Sequence, residues 1–210
     1  MGSYFLKAVK IINSRIIFVF LLALTNMHSR NYPLLSLLFF IVALILYAGV
    51  FGYFSEIVKK GKGKLSFSDN VKRHFSNILV VSIILGLPVF LLTLLGFKPI
   101  GFMLFLAIRA LTLYVFPFVF IGRINIEAIP LGIKFLLRNF KENITLLIIV
   151  VLIPIITFSS MLFMIKYLAG ISSGIILFAY LSSLIKVYLN LLLFLVASMA
   201  LIKHSSPVPK

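Results

Sequence analysis

Two cations stand inside long apolar runs of this chain, Arg109 within residues 102–121 and Lys186 within residues 175–202. A charge at the centre of a membrane helix costs roughly 2.5–3.5 kcal/mol on insertion scales and usually faces a bundle interior or an aqueous cavity. None of the chain's four acids lies in an apolar run, so no intramembrane carboxylate neutralises either cation. The chemistry this suits is capture of an anion, a lipid phosphate or a carboxylate. Around Lys186, the residues Ala179, Ser183, Asn190 and Ala197 recur at helical spacing. They make a small polar stripe of the kind that packs helices together, and Ser183 and Asn190 on it are further candidate contacts to an anion. The competing reading is structural: snorkelling, with bonds to carbonyls freed by Pro88, Pro117 or Pro154. A proton relay is disfavoured, because Arg does not titrate usefully and no carboxylate stands beside Lys186.

Other chemistry has little material. A Gly-x-Ser-x-Gly occurs at Gly170, Ser172 and Gly174, but a serine hydrolase needs it on a strand-to-helix elbow with His and an acid close by. Here it falls in a short outer loop with every acid on the opposite side. His28, His74 and His204 sit in three different polar stretches without metal-ligand spacing, so solvated or interfacial histidines are expected. With no cysteine, disulfides and thiolate chemistry are absent. No cofactor, metal or enzymatic activity is expected.

The elements that must position these residues are membrane helices. Of 210 residues, 62% are apolar and 11% charged, with mean hydropathy +1.22. A soluble domain of this size cannot hide so much apolar surface. Six apolar segments are expected to cross, at residues 11–25, 34–54, 78–95, 102–121, 144–163 and 175–202. They must be helical, because lipid offers no partner to exposed backbone groups and the alternation of a barrel is missing. Pro88, Pro117 and Pro154 should kink their helices. No small-residue cleavage site follows the first apolar run, so no cleaved signal peptide is expected.

Charge predicts orientation. With a cytoplasmic N-terminus, fifteen of the twenty bases fall inside and three (Arg30, Lys98, Lys166) outside. This bias puts both termini in the cytoplasm of a prokaryotic cell, with the protein multi-pass in its inner membrane. Residues 59–75 then form the first cytoplasmic loop, whose Lys59, Lys60, Lys62, Lys64, Lys72 and Arg73 face the anionic inner leaflet. A nucleic-acid site lacks aromatic stacking partners and a groove-sized helix, and a phosphate loop fails on glycine spacing. Residues 124–141 place Ile126, Ile129, Ile133, Leu136, Leu137 and Phe140 at helical spacing, with Lys134, Arg138 and Lys141 on another face. This predicts a helix lying on the inner membrane surface.

Two stretches are self-similar, at about 47–95 and 114–163. Each has an aromatic-rich span, then Arg-x-Phe (Arg73-His74-Phe75; Arg138-Asn139-Phe140), an Asn, an apolar run and a Pro. Both copies enter from the same side, so the repeat is parallel, about an axis along the membrane normal. Composition alone could also make two apolar hairpins look alike. Pro117-Phe118, Glu127-Ala128, Lys134 and Arg138-Asn139-Phe140, with the stretches Gly49–Gly61 and Phe67–Phe75, resemble uncharacterised six-helix bacterial and archaeal proteins. That arrangement is similar to the membrane domain attached to some glycerophosphodiester phosphodiesterases, and the likeness spans about residues 47–163. It implies a membrane topology and a helper role, without the catalytic part.

The expectation is one all-α polytopic membrane domain over residues 1–210, of about six helices. The leading function is a non-catalytic subunit or scaffold, partnered by anionic lipids and other membrane subunits and not by nucleic acid. The alternative is a transporter or lipid-binding protein holding an anionic molecule at Arg109 and Lys186.

Overall fold

The computed structural model describes residues 1–24, 33–61, 63, 66–122, 124–168 and 172–205, without the side chains of 33–37, 161–168, 172–177 and 205. Among the described residues the chain is all-helical, 89% helix, with no strand. In order, the helices are α1 (Gly2–Asn13), α2 (Ile17–Leu24), α3 (Pro33–Lys60), α4 (Phe67–Leu94), α5 (Lys98–Leu111) and α6 (Val115–Pro117). A π-helical turn (Phe118–Gly122) follows, then α7 (Ala128–Arg138), α8 (Phe140–Leu168) and α9 (Ser172–Ser205).

Among the described residues, α3, α4, α8 and α9 each hold a stretch long and apolar enough to cross a membrane. Lys98–Leu111 and Val115–Gly122, bent by 48°, make a fifth if the pair is one span. The first expected segment is divided. Asn13, Ser14 and Arg15 interrupt it, the Ser14 hydroxyl donates to the Ile11 carbonyl at 2.8 Å, and α2 keeps only eight residues. Eight residues rise about 12 Å, well short of a hydrocarbon core of about 30 Å.

The centre is α9. Ten consecutive residues from Leu191 to Ala200 are buried, as a helix apolar all round must be when neighbours enclose it. By contrast α4 buries only Asn70, His74, Ile78 and Val81, a single stripe at helical spacing. Close approach of α3 to α4 depends on small residues: a Cβ at Gly52 would stand 2.8 Å from Asn70 Oδ1, and one at Gly49 would collide with the Phe67 ring.

The expected loop at 59–75 is mostly helix instead. Ser66 caps α4, accepting from the Asp69 backbone N–H at 3.1 Å while its hydroxyl donates to Asp69 Oδ2 at 2.8 Å. That reciprocal pair satisfies an orphan donor and starts the helix about three turns before its apolar part. Of the three internal prolines, Pro117 alone accompanies a break. It withholds the N–H that would bond Leu113, and the chain answers with a turn at Thr112–Tyr114 and then π geometry. Both α4 and α8 run on through Pro88 and Pro154.

Residues 128–138 do form a helix, with a different inner face from the expected one. Ala128, Gly132 and Leu136 are buried, and a Cβ at Gly132 would lie 2.8 Å from the Val115 backbone nitrogen. The smallest residues therefore dock α7 on α6. Leu137 stays 61% exposed, and Lys134 and Arg138 are exposed beside it.

Candidate functional site

A cavity of about 370 Å3 lies between α3, α4, α5, α6, the π-turn, α8 and α9. Its walls are mainly apolar and aromatic, with Tyr47, Phe51, Phe105, Phe116, Phe120 and Phe194 among them, and its polar side chains include Ser82, Arg109, Thr112 and Asn190. Arg109 stands in the last turn of α5. Its Nη2 donates to Asn190 Oδ1 of α9 at 2.6 Å, and its guanidinium carbon is 5.7 Å from the Phe105 ring centroid. The Thr112 hydroxyl, also in the wall, donates to the Ile108 carbonyl at 2.6 Å.

Of the four residues expected at an anion site, the fold joins two. Arg109 and Asn190 meet in the cavity wall. Lys186, one turn from Asn190 on α9, is half-buried and within electrostatic reach of Arg109, but lies outside the wall. Neither cation has a carboxylate at ion-pair distance among the described residues. Ser183 faces elsewhere: its hydroxyl donates to the Ala23 carbonyl at 3.1 Å and ties α9 to α2. The expected stripe is thus divided between helix packing and the cavity.

A second polar group escaped the sequence reading. Ser55 and Glu56 of α3 and Asn70 and His74 of α4 are all buried, and the His74 ring lies 4.9 Å from that of Phe120. The expectation of solvated histidines fails at His74, because the glycines of α3 let α4 press its polar first turns inward. His204 is exposed, as expected, and its Nε2 is 3.1 Å from Glu142 Oε2. The available signal was the spacing of Asn70 and His74 in register with Ile78 and Val81. Nearby, Tyr114 is fully buried and donates its hydroxyl to Asn143 Oδ1 at 2.5 Å.

Among the bases expected to face the inner leaflet, Lys59, Lys60, Lys72, Arg73, Lys134, Arg138 and Lys141 are exposed. Lys59 also ties two elements, its ammonium donating to the Ile121 carbonyl of the π-turn. Lys62, Lys64, His28, Arg30, Gly170 and Ile171 lie outside the described residues, as do the side chains of Lys166 and of residues 172–174. The fold and site define an all-helical chain with several membrane-length helices around a mainly apolar cavity. Comparison with protein-family models, curated proteins and solved structures finds no match for it.

Proposed function

We propose that this is a multi-pass membrane protein that binds an anionic amphiphile, a phosphate or carboxylate on an apolar chain, in the cavity at Arg109. One observation carries the reading: a guanidinium bonded to a neutral amide sits in the wall of an otherwise mainly apolar cavity rich in aromatic rings. Five N–H donors radiate from that group, and Asn190 takes one. The remaining donors suit the head of such a ligand, and the rings suit its chain. Lys186 adds positive potential from the next turn. The test uses dodecyl phosphate and native mass spectrometry of protein purified in a neutral detergent. One equivalent should bind, Arg109→Gln should weaken it by about tenfold or more, as expected for lost charge-assisted hydrogen bonds, and neutral dodecanol should not compete. Equal binding by both proteins would sink the proposal.

A scaffold role is the second reading, and the resemblance to the phosphodiesterase membrane domain implies it. It is favoured by the exposed bases Lys72, Arg73, Lys134, Arg138 and Lys141, which suit an acidic partner or the anionic leaflet. On either reading α7 lies at the inner surface, with Ile133 and Leu137 toward lipid and Lys134 and Arg138 toward headgroups.

The full topology belongs to the same proposal. Counting α1–α2 as one crossing and the bent α5–α6 pair as another gives six, with a parallel repeat over about 47–95 and 114–163. The fifteen-to-three charge split then puts both termini in the cytoplasm of a prokaryote. Single cysteines at Lys62 and Ser205 should resist an impermeant thiol reagent in right-side-out vesicles, while one at Ser29 should label. Labelling at Lys62 in intact vesicles would overturn the orientation.

A further inference from the structure

Toward the Lys60 end of α3 the cavity stops at three rings. Phe51, Phe120 and Phe194 form a triangle with centroid distances of 5.8 Å (51 to 120), 4.6 Å (51 to 194) and 5.4 Å (120 to 194). Each is at most 8% exposed. The same order repeats on the helices that meet there. On α3, wall residues Tyr47 and Phe51 are followed one turn on by Ser55 and Glu56. On α9, Asn190 and Phe194 are followed one turn on by Ser198. On α4, read in the opposite direction, Ser82 and Ile78 are followed by His74 and Asn70. The polar residues of this inner group are absent from the cavity wall, and the His74 ring lies 4.9 Å from that of Phe120.

These inner groups are costly where they are. Asn70 and Ser198 are 0% exposed, and Asn70 Oδ1 and Ser198 Oγ have no hydrogen-bond partner. Buried polar atoms are nearly always satisfied, and unsatisfied ones call for an explanation. Phe120 itself sits in the π-turn, an arrangement frequent at functional sites. Return of that turn to α geometry re-registers the residues around it by one position, a rotation of about 100° about the axis. Lys59, bonded to the Ile121 carbonyl, holds the turn as it stands.

We infer that the Phe51–Phe120–Phe194 triangle is a closed gate between the cavity and the buried polar group beyond it, and that the protein carries anionic phospholipid headgroups through it between leaflets. Arg109 receives the phosphate on one side, and hydroxyl, amide, imidazole and carboxylate groups solvate the rest of the headgroup on the other. The acyl chains stay in the bilayer. No bond is made or broken. The inference rests on the cavity's taking an anionic head at Arg109.

The experiment reconstitutes the full chain in vesicles of phosphatidylcholine and phosphatidylglycerol carrying a fluorescent phosphatidylglycerol, with dithionite bleaching reporting exchange between leaflets. Phe120→Ala and Phe194→Ala should each raise the exchange rate by roughly tenfold, since each removes two ring pairs from the closed state. Arg109→Gln added to Phe120→Ala should abolish the gain. Two results overturn the gate: unchanged rates in both alanine variants when these are helical and monodisperse, or a gain that survives Arg109→Gln. Dodecyl phosphate binding separates the two proposals. Binding that persists without any gain in exchange removes the gate alone, whereas no binding by the wild-type chain removes both.

Discussion

Replacing Asn190 with Leu should destabilise the protein by about 3 kcal/mol or more, while replacing its partner Arg109 with Met should cost only about 1–3 kcal/mol. The asymmetry follows from which group is left behind. Leu at 190 removes the acceptor that Arg109 Nη2 holds at 2.6 Å, and strands a guanidinium among Phe105, Phe116 and the other rings of the wall. Met at 109 strands only a neutral amide, and Met can fill the space of the side-chain stem. The double variant should recover most of the loss, since neither polar group then remains. Thermal unfolding in a mild detergent measures all three. Dodecyl phosphate should restore part of the stability of Asn190→Leu, and none to Arg109→Met, because a bound anion replaces the missing acceptor by mass action. If Asn190→Leu unfolds with the wild-type profile, the guanidinium has other acceptors and the pair is not what retains the charge.

Alanine should have opposite effects at Gly132 and Gly86. Both glycines are helical, so each substitution gains up to about 1 kcal/mol of helix propensity. At Gly86 of α4 the added methyl meets nothing within 4 Å, and that gain should appear as a raised unfolding temperature. At Gly132 of α7 it would stand 2.8 Å from the backbone nitrogen and 3.0 Å from the Cα of Val115. Backbone cannot rotate away, so α6 must move, and overpacking of this kind costs about 1–3 kcal/mol. The displaced segment leads into Phe116, Pro117 and Phe120, so Gly132→Ala should also weaken dodecyl phosphate binding, whereas Gly86→Ala should leave it intact. Similar shifts at the two sites would mean that α7 does not dock on α6 through Gly132.

Much of this architecture is written in local pattern. Apolar runs of span length force helices wherever lipid removes every outside partner for the backbone, and α3, α4, α8 and α9 lie where those runs lie. The helical spacing of residues 124–141 likewise located α7, but not its inward face. Apolarity marks Ile133 and Leu137 for the membrane, yet Ala128, Gly132 and Leu136 take the protein-facing side, because close approach of backbones rewards small residues such as Gly132. The break of the first segment at Asn13, Ser14 and Arg15 was visible as three polar residues. Whether it divides the helix depends on what packs beside it, here Tyr53 accepting a hydrogen bond from Arg15 Nε at 3.2 Å.

By itself the sequence determined that this chain is helical and apolar, that Arg109 and Lys186 lie within apolar runs without a local acid, and that the bases crowd into the polar stretches. These follow from hydropathy and charge, properties that each residue carries wherever it stands. Tertiary structure alone decided that Arg109 bonds Asn190 across 81 positions, that Ser183 is spent on the Ala23 carbonyl, and that His74 and Asn70 turn inward behind Phe120. The physical reason is that a polar group's partner is chosen by the packing of whole helices. That packing is set at a few positions, such as Gly52 and Gly132, where a missing side chain lets two backbones meet.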